Sequence, residues 1–355
     1  MAKVTFNNKI SPFFDTLRER VDAYFATNNI KQTGNYKLYT KTIVLAVGVL
    51  ATYAVLVFLN PPVWLAIILC CIFGLNLAAI GFNVMHDGAH GSFSSRKWVN
   101  NFGAFTLNMM GGSSYIWKIK HNINHHTFTN IEGMDSDIDI KFWMRLHKEQ
   151  KHYWFHKFQY LYFIIFYGSS YLMWVYYLDF AKYFSSKIST TSFRRMELKD
   201  HFSFWISKVV YTGFFIVIPI ILVGLIPTLI GYSITVIVCG ITISIVFQLA
   251  HIVEHTEFPM PDLITNKIET EWAIHQVITT ADFATHNKFI SWYVGGLNFQ
   301  VIHHLFPKVS HIHYPNIYQI VKDTCEQYNV PYKEYPTIFS AIKSHVSQLK
   351  ELGVQ

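Results

Sequence analysis

Nine of the 18 histidines fall in four short groups: His86 and His90; His121, His125 and His126; His251 and His255; His303 and His304. Imidazole is the commonest protein ligand for first-row metals. In the first three groups, histidines four residues apart would share one face of a helix, so two ring nitrogens can reach one ion. The doublets His125-His126 and His303-His304 offer something different. Adjacent helical residues diverge by about 100°, so neighbouring rings can address two ions. Four-apart pairs combined with doublets therefore point to a centre of two metals. A single histidine at a membrane end is ordinarily an interfacial side chain, and His147, His152, His156, His201, His275, His286, His311, His313 and His345 are read that way.

Composition says what must carry these groups. Charged residues make up 14% of the chain and hydrophobic ones 51%, with aromatics at 17% and a mean hydropathy of +0.23. A soluble domain carries about 25% charge, so the chain has too little polar surface for a globule in water. No Asp, Glu, Lys or Arg occurs from Thr42 to Met85, or from Val209 to Val253. Each block is long enough for two spans of about 20 residues. The breaks come at Asn60-Pro61-Pro62 and Gly224-Leu225-Ile226-Pro227, since proline ends a helix.

The expected fold is an all-α integral membrane protein with four transmembrane helices in two hairpins, at about 42–59, 63–85, 205–226 and 228–250. A cytosolic helical cap then holds the histidine site. Residues 1–41 are a cytoplasmic N-terminal segment, 42–330 the membrane domain and 331–355 a C-terminal cytoplasmic tail. Residues 158–178 are also long enough to cross. If the second and third histidine groups serve one site, however, an even number of crossings must separate them, so this stretch is assigned to the interface or a re-entrant dip.

The formal net charge of +7 comes from basic residues in the first 41 positions, between the apolar blocks and near the C-terminus. That distribution faces the site toward the cytoplasm. No Arg-rich tract interleaved with aromatics forms a nucleic-acid groove. Cys70, Cys71, Cys239 and Cys325 make no CxxC pair, which excludes a zinc ribbon or redox dithiol. Nearly all-nitrogen ligation argues against a soluble carboxylate di-iron bundle, and zinc needs a smaller tetrahedral set. Iron, which changes oxidation state and activates oxygen, suits a site of so many ligands; spacing alone leaves manganese and copper open.

The order H-x3-H, H-x3-HH and Q-x2-HH around two hairpins resembles the membrane fatty acid desaturases. His121-Asn122, His125-His126-Thr127, Thr129-Asn130 and Asp135-Ser136-Asp137 are similar to their second box. The run from Gly295-Gly296-Leu297-Asn298-Phe299-Gln300 through His303-His304-Leu305-Phe306-Pro307 resembles the third box of the front-end, delta-5/delta-6-like subgroup, where glutamine replaces the first histidine. The resemblance covers most of the chain.

It implies two iron ions, with O2 as co-substrate, held by His86, His90, His121, His125, His126, His255, His303 and His304. Gln300 is left as a weak ligand, a water-bridged one or an orienting group, and His251 as a ninth nitrogen ligand or a neighbour of one. Asp87, Asp135, Asp137, Glu254 and Asp282 are candidates to accept the outer N–H of ligand histidines. The implied reaction inserts a cis double bond into a fatty acyl chain on CoA or lipid, and a narrow apolar tunnel must select the bond. Trp117, Phe128, Trp272, Trp292 and Phe299, together with Phe82 and Tyr293, are tunnel candidates. Without a His-Pro-Gly-Gly haem motif, the chain is expected to take electrons from a separate donor, ferredoxin or cytochrome b5-like. Arg96, Lys97, Lys118, Lys120 and Lys308 are candidate docking cations.

Two other readings compete. A membrane di-iron lipid hydroxylase, ketolase or epoxidase shares the histidine boxes. A metal transporter or haem-binding carrier belongs to another class, but would place polar groups in mid-span, and the two charge-free blocks do not.

Overall fold

The charge-free blocks become long helices because, in lipid, only the helix itself can satisfy their backbone amides. The computed structural model describes residues 4–8, 11–189, 191–193 and 196–355. Tyr36–Phe58 and Val63–His90 form one hairpin, and Leu198–Val223 and Leu225–His251 another. The second hairpin turns on Gly224 at φ 104°, backbone that residues with a Cβ rarely adopt. These helices run past the expected boundaries, since amphipathic turns continue each one beyond its apolar block.

A fifth helix, Trp154–Ser185, is also long and apolar enough to cross a membrane. Residues 158–178 thus lie within a continuous helix of spanning length. It crosses Leu225–His251 where small residues let the backbones approach: a Cβ on Gly240 would stand 2.7 Å from the Tyr167 carbonyl oxygen. Ser170 and Ser244 hydroxyls meet there at 2.9 Å. Near its start Gln159 donates to the carbonyls of Arg145 and Leu349. Near its end Asp179 pairs with Lys208 at 2.9 Å and Tyr183 meets His201 at 2.7 Å.

Outside the long helices, Pro12–Thr27 buries Phe13, Leu17, Val21 and Phe25 on one stripe. That stripe packs into one core with Val277, Phe299, Ile317 and Val321, so the helix faces protein. Burial of each large apolar side chain is worth about 1.5–3 kcal/mol, and a charge at Leu17 would undo this seam. Short parallel pairs join Thr5–Phe6 to Lys267–Ile268 and Asp282–Phe283 to Glu334–Tyr335.

The last residues pack on the rest of the protein. Ile338–Val354 is a helix whose His345 donates from Nδ1 to the Ile252 carbonyl at 2.6 Å and accepts at Nε2 from the Tyr167 hydroxyl at 2.8 Å. Arg145 donates to the Leu352 carbonyl at 2.8 Å, tying the helix to the same body.

Candidate metal centre

The histidine groups are carried on irregular helix. A π turn, Gly81–Met85, runs directly into His86–His90, and Ile119–His125 is itself π-helical. A π turn holds one residue more than an α turn, so residues four apart come close to alignment. His121 and His125 accordingly stack, with ring centroids 5.2 Å apart and planes inclined by 23°. Two glycines allow close backbone approach around the first group. Gly295, at φ 62°, lies so close to the first π turn that a Cβ would meet the Phe82 carbonyl oxygen at 2.5 Å. Gly88 leaves room for the Lys97–Met109 helix, where a Cβ would reach Ala104 N at 2.6 Å.

Three sets of imidazoles result. His86, His90, His121 and His303 have nitrogens within 4.8 Å of one another, as do His125, His251 and His304, and the set His126, His303 and His304 joins the two. Nε2 of His121 lies 3.2 Å from Nε2 of both His86 and His126.

The outer nitrogens of three rings are held. His125 Nδ1 donates to Asp135 at 2.9 Å, His304 Nδ1 donates to the Gln276 side-chain carbonyl at 2.8 Å, and His303 Nδ1 meets the Tyr314 hydroxyl at 3.2 Å. Their Nε2 atoms, with that of His90, are buried and have no hydrogen-bond partner among the described residues. A buried orphaned lone pair is costly, and several converging on one space form a donor set that fits a metal centre. Burial and then the neighbouring imidazoles hold His121, His126, His303 and His304 well below the usual histidine range, in the neutral form that ligates. His125 differs. Burial pushes it down, but the Asp135 and Asp137 carboxylates outweigh this and its net shift is upward.

The site can be compared with known proteins on this footing. Residues 62–336 match the family described as fatty acid desaturase. The chain belongs to the fatty acid desaturase family. An sn-1 linoleoyl-lipid 6-desaturase of Arthrospira platensis is 37% identical to it, over 99% of this chain and 95% of the relative. A protein of the same description from Synechocystis sp. is 38% identical over 96% and 95%. An acyl-lipid (8-3)-desaturase of Physcomitrium patens is 32% identical over 96% of this chain and 72% of its own length. The desaturase reading of the histidine boxes, and the front-end character of the third, agree with these relatives. The chain is an oxidoreductase.

In this desaturase the third histidine group does not act as spacing suggested. The helix ends at His251, and His255 lies in a turn at φ 73°, exposed and outside every set. His251 takes the inward place, its ring centroid 4.7 Å from His125 and 5.0 Å from His304. Gln300 touches it, amide nitrogen to Nε2 at 3.0 Å.

The carboxylates divide. Asp135 holds His125, while Asp137 stands 3.7 Å from the same nitrogen and pairs with Lys120. Asp87 instead accepts from Ser310 at 2.7 Å and pairs with His311 at 3.0 Å, fastening the third-box loop to the first-box helix. Asp282 accepts from the Val301 amide at 2.9 Å and from the Tyr332 hydroxyl, so it positions the start of the Gln300–Leu305 helix and no imidazole. Burial pushes its pKa up to about 7. Glu254 is engaged through its backbone, by Ser344 and Tyr335.

Tyr314, Gln276 and His311 went unread as site residues because neither type nor spacing distinguishes them. Thr129 also meets His304 Nδ1, at 3.3 Å. His147, His156, His275, His311, His313 and His345 are buried within the protein, not interfacial.

The tunnel candidates scatter. Trp117 stacks on His121 at 4.4 Å and walls the site. Phe128 packs in a separate core with Val4, Ile131 and Ile268, and Trp272 donates to the His126 carbonyl at 3.0 Å. Trp292 and Phe299 line a cavity of about 850 Å³ beyond the site. Phe82 and Tyr293 meet edge to face at 6.5 Å. Phe247, one turn before His251 and 5.1 Å from His125, was missed; its helical offset from His251 was the available signal.

Proposed function

We propose that this desaturase uses O2 to insert a cis double bond, front-end fashion, into an acyl chain esterified in a glycerolipid. The observation that carries the metal assignment is the group of buried Nε2 atoms on His90, His125, His303 and His304 that lack any hydrogen-bond partner among the described residues. One iron would be held by His86, His90, His121 and His303, the other by His125, His251 and His304, with His126 between them. Bound there, two irons would supply the redox capacity to reduce O2 with two electrons while two hydrogens leave adjacent methylenes. With two protons taken up, the balance is one double bond and two waters.

The chain's own residues do the rest. Asp135 and Gln276 keep the Nδ1 protons of His125 and His304, which leaves each inner lone pair free. Trp117 and Phe247 close the space to water. The names of the relatives, sn-1 linoleoyl-lipid 6-desaturase and acyl-lipid (8-3)-desaturase, support a lipid-linked substrate and insertion toward the carboxyl end.

Four crossings with the site on the cytoplasmic side is the topology we favour. What supports it is parity. His125 and His251 meet across the interval that contains the Trp154–Ser185, Leu198–Val223 and Leu225–His251 helices, so not all three can cross. Trp154–Ser185 is the one whose two ends both pack beside site-side elements, through Gln159 and through Asp179. Electrons come from a separate acidic carrier, for which the exposed Arg96, Lys97 and Lys308 are available; Lys120 is committed to Asp137.

The test is expression in a host fed linoleoyl chains, with the position of any new double bond read by mass spectrometry. A double bond on the carboxyl side of the existing ones is expected. A new oxygen in its place would make the protein a hydroxylase and end the proposal.

A further inference from the structure

The cavity of about 850 Å³ lies where the first long helix leaves the lipid, and its walls are one-sided in charge. Lys37 and Lys41 come from the first turns of Tyr36–Phe58, and Lys288 and His286 from the start of Lys288–Tyr293 and the loop before it. No carboxylate lines it. Among the described residues no Asp or Glu lies within ion-pair distance of Lys37, Lys41 or Lys288.

Lys41 is the telling member. Its side chain is buried, at 6% exposure, yet its ammonium meets only His311 Nε2 at 3.3 Å and the face of Trp292 at 5.1 Å. A buried cation is ordinarily paired. The acids behind the cavity wall are engaged: Asp87 with His311 and Ser310, and Glu334 with Thr285, Tyr318 and, at 3.0 Å, Lys322.

The other end of the cavity is apolar. Val44 lines it and continues into the exposed Val47 and Leu50, the lipid-facing surface of the same helix. Exposed Tyr36 and Trp292 line it beside the lysines, the aromatic and lysine mixture of a membrane interface. The inner wall is one residue layer from the metal ligands: Phe299 precedes Gln300, and His311 bonds Asp87 beside His86.

We propose that this cavity seats the phosphate of a phosphoglycerolipid substrate, with Lys37, Lys41 and Lys288 as its cations. The inference rests on the desaturase reading above and names the carrier of the acyl chain. Clamping the phosphate fixes the carboxyl end of the chain at a set depth, so the bond that reaches the metals is counted from that end.

The test uses the full chain in vesicles that present linoleoyl chains in three forms: phosphatidylglycerol, the uncharged monogalactosyldiacylglycerol, and CoA. Wild type is expected to convert the phospholipid best. In Lys37→Gln/Lys288→Gln, whose two sites are exposed and safe for folding, the ratio of phospholipid to galactolipid conversion should fall at least tenfold. Native mass spectrometry of metal-free protein gives a second readout, loss of retained phosphatidylglycerol relative to galactolipid. Lys41→Gln should add to the loss, and Lys41→Arg should restore it in part.

An unchanged ratio overturns the proposal. So does conversion confined to linoleoyl-CoA, or an equal loss on all three substrates that added electron carrier repairs, which would make the lysines a docking face. A wild type that retains phosphatidylglycerol but makes no double bond in any arm refutes the desaturase reading and leaves the phosphate seat standing.

Discussion

The two halves of the histidine site are built from the same ligand type and supported differently. Around His86, His90, His121 and His303 the direct contacts are neutral, the Tyr314 hydroxyl on His303 and the Trp117 ring on His121, with the Asp137 carboxylate within 4.8 Å of a His121 nitrogen. Around His125, His251 and His304 the support is strongly polar, with the Asp135 carboxylate, the amides of Gln276 and Gln300, and the Thr129 hydroxyl. Asp87 lies beside the first half but spends its carboxylate on His311 and Ser310. A carboxylate behind an imidazole raises its basicity and fixes its tautomer. The two metal positions should therefore differ in affinity and in the charge they tolerate.

The largest effect should come from a residue that ties the first half to the bridging set. His303 stands in both the His86 set and the bridging set. His303→Ala should abolish double-bond formation and reduce metal bound per chain at both positions. His251→Ala touches only the second half and should remove about one metal of two, read by elemental analysis of purified protein. Equal metal loss in the two variants would break the division into halves.

The supports sharpen it further. Asp135→Asn keeps the shape and removes the charge behind His125, and such changes typically cost 10–100-fold in metal affinity. Tyr314→Phe removes only a neutral contact at 3.2 Å and should fall below the low end of that range. Chelator competition on metal-loaded protein measures both, and an effect of Tyr314→Phe as large as that of Asp135→Asn would show the halves to be equivalent.

The long helices and most of the clustered histidines were legible in the sequence because apolar spans and grouped imidazoles are written in residue types at short range. Charge-free runs broken by proline gave the long helices, and clustered imidazoles gave the site. What was not legible depends on backbone shape at a distance. The π turns that align His121 with His125 leave no pattern of their own. His255 kept ligand spacing on paper, but the helix carrying that spacing stops at His251. Tyr314, Gln276 and His311 arrive from elements far along the chain, and Asp282 acts on a backbone amide where an imidazole was expected.

Acidity should separate the halves by a smaller margin, in stability. In metal-free protein, burial holds His275 and His345 down at about 4, against about 6.5 for an unfolded imidazole. As pH falls below 6.5 the unfolded chain takes up those protons first, so their contribution is full above 6.5 and is lost toward pH 4. His125, shifted upward, contributes the other way: its stabilisation is full below 6.5 and is lost as pH rises through its folded value. Asp135→Asn removes the larger cause of that upward shift and leaves only the more distant Asp137. Burial then dominates, and His125 joins the groups that resist protonation. Denaturation of the variant between pH 6.5 and 4.5 should show a slope steeper than wild type by up to one proton, about 1.4 kcal/mol per pH unit. A parallel slope would mean that Asp135 does not set the charge of the second half.

The smallest expected effect concerns the residue that spacing nominated and geometry removes. His255 is exposed at φ 73°, with no nitrogen in any of the ligand sets. A residue with a Cβ is strained at that angle, so replacement by alanine leaves the strain as it was and deletes only a solvated ring. His255→Ala should keep metal content and double-bond yield within experimental error of wild type, while His255→Gly should raise the melting temperature slightly by relieving the backbone. Loss of a metal in His255→Ala would return this histidine to the second half. It would also require the chain after His251 to refold into the helix that the four-residue spacing first suggested.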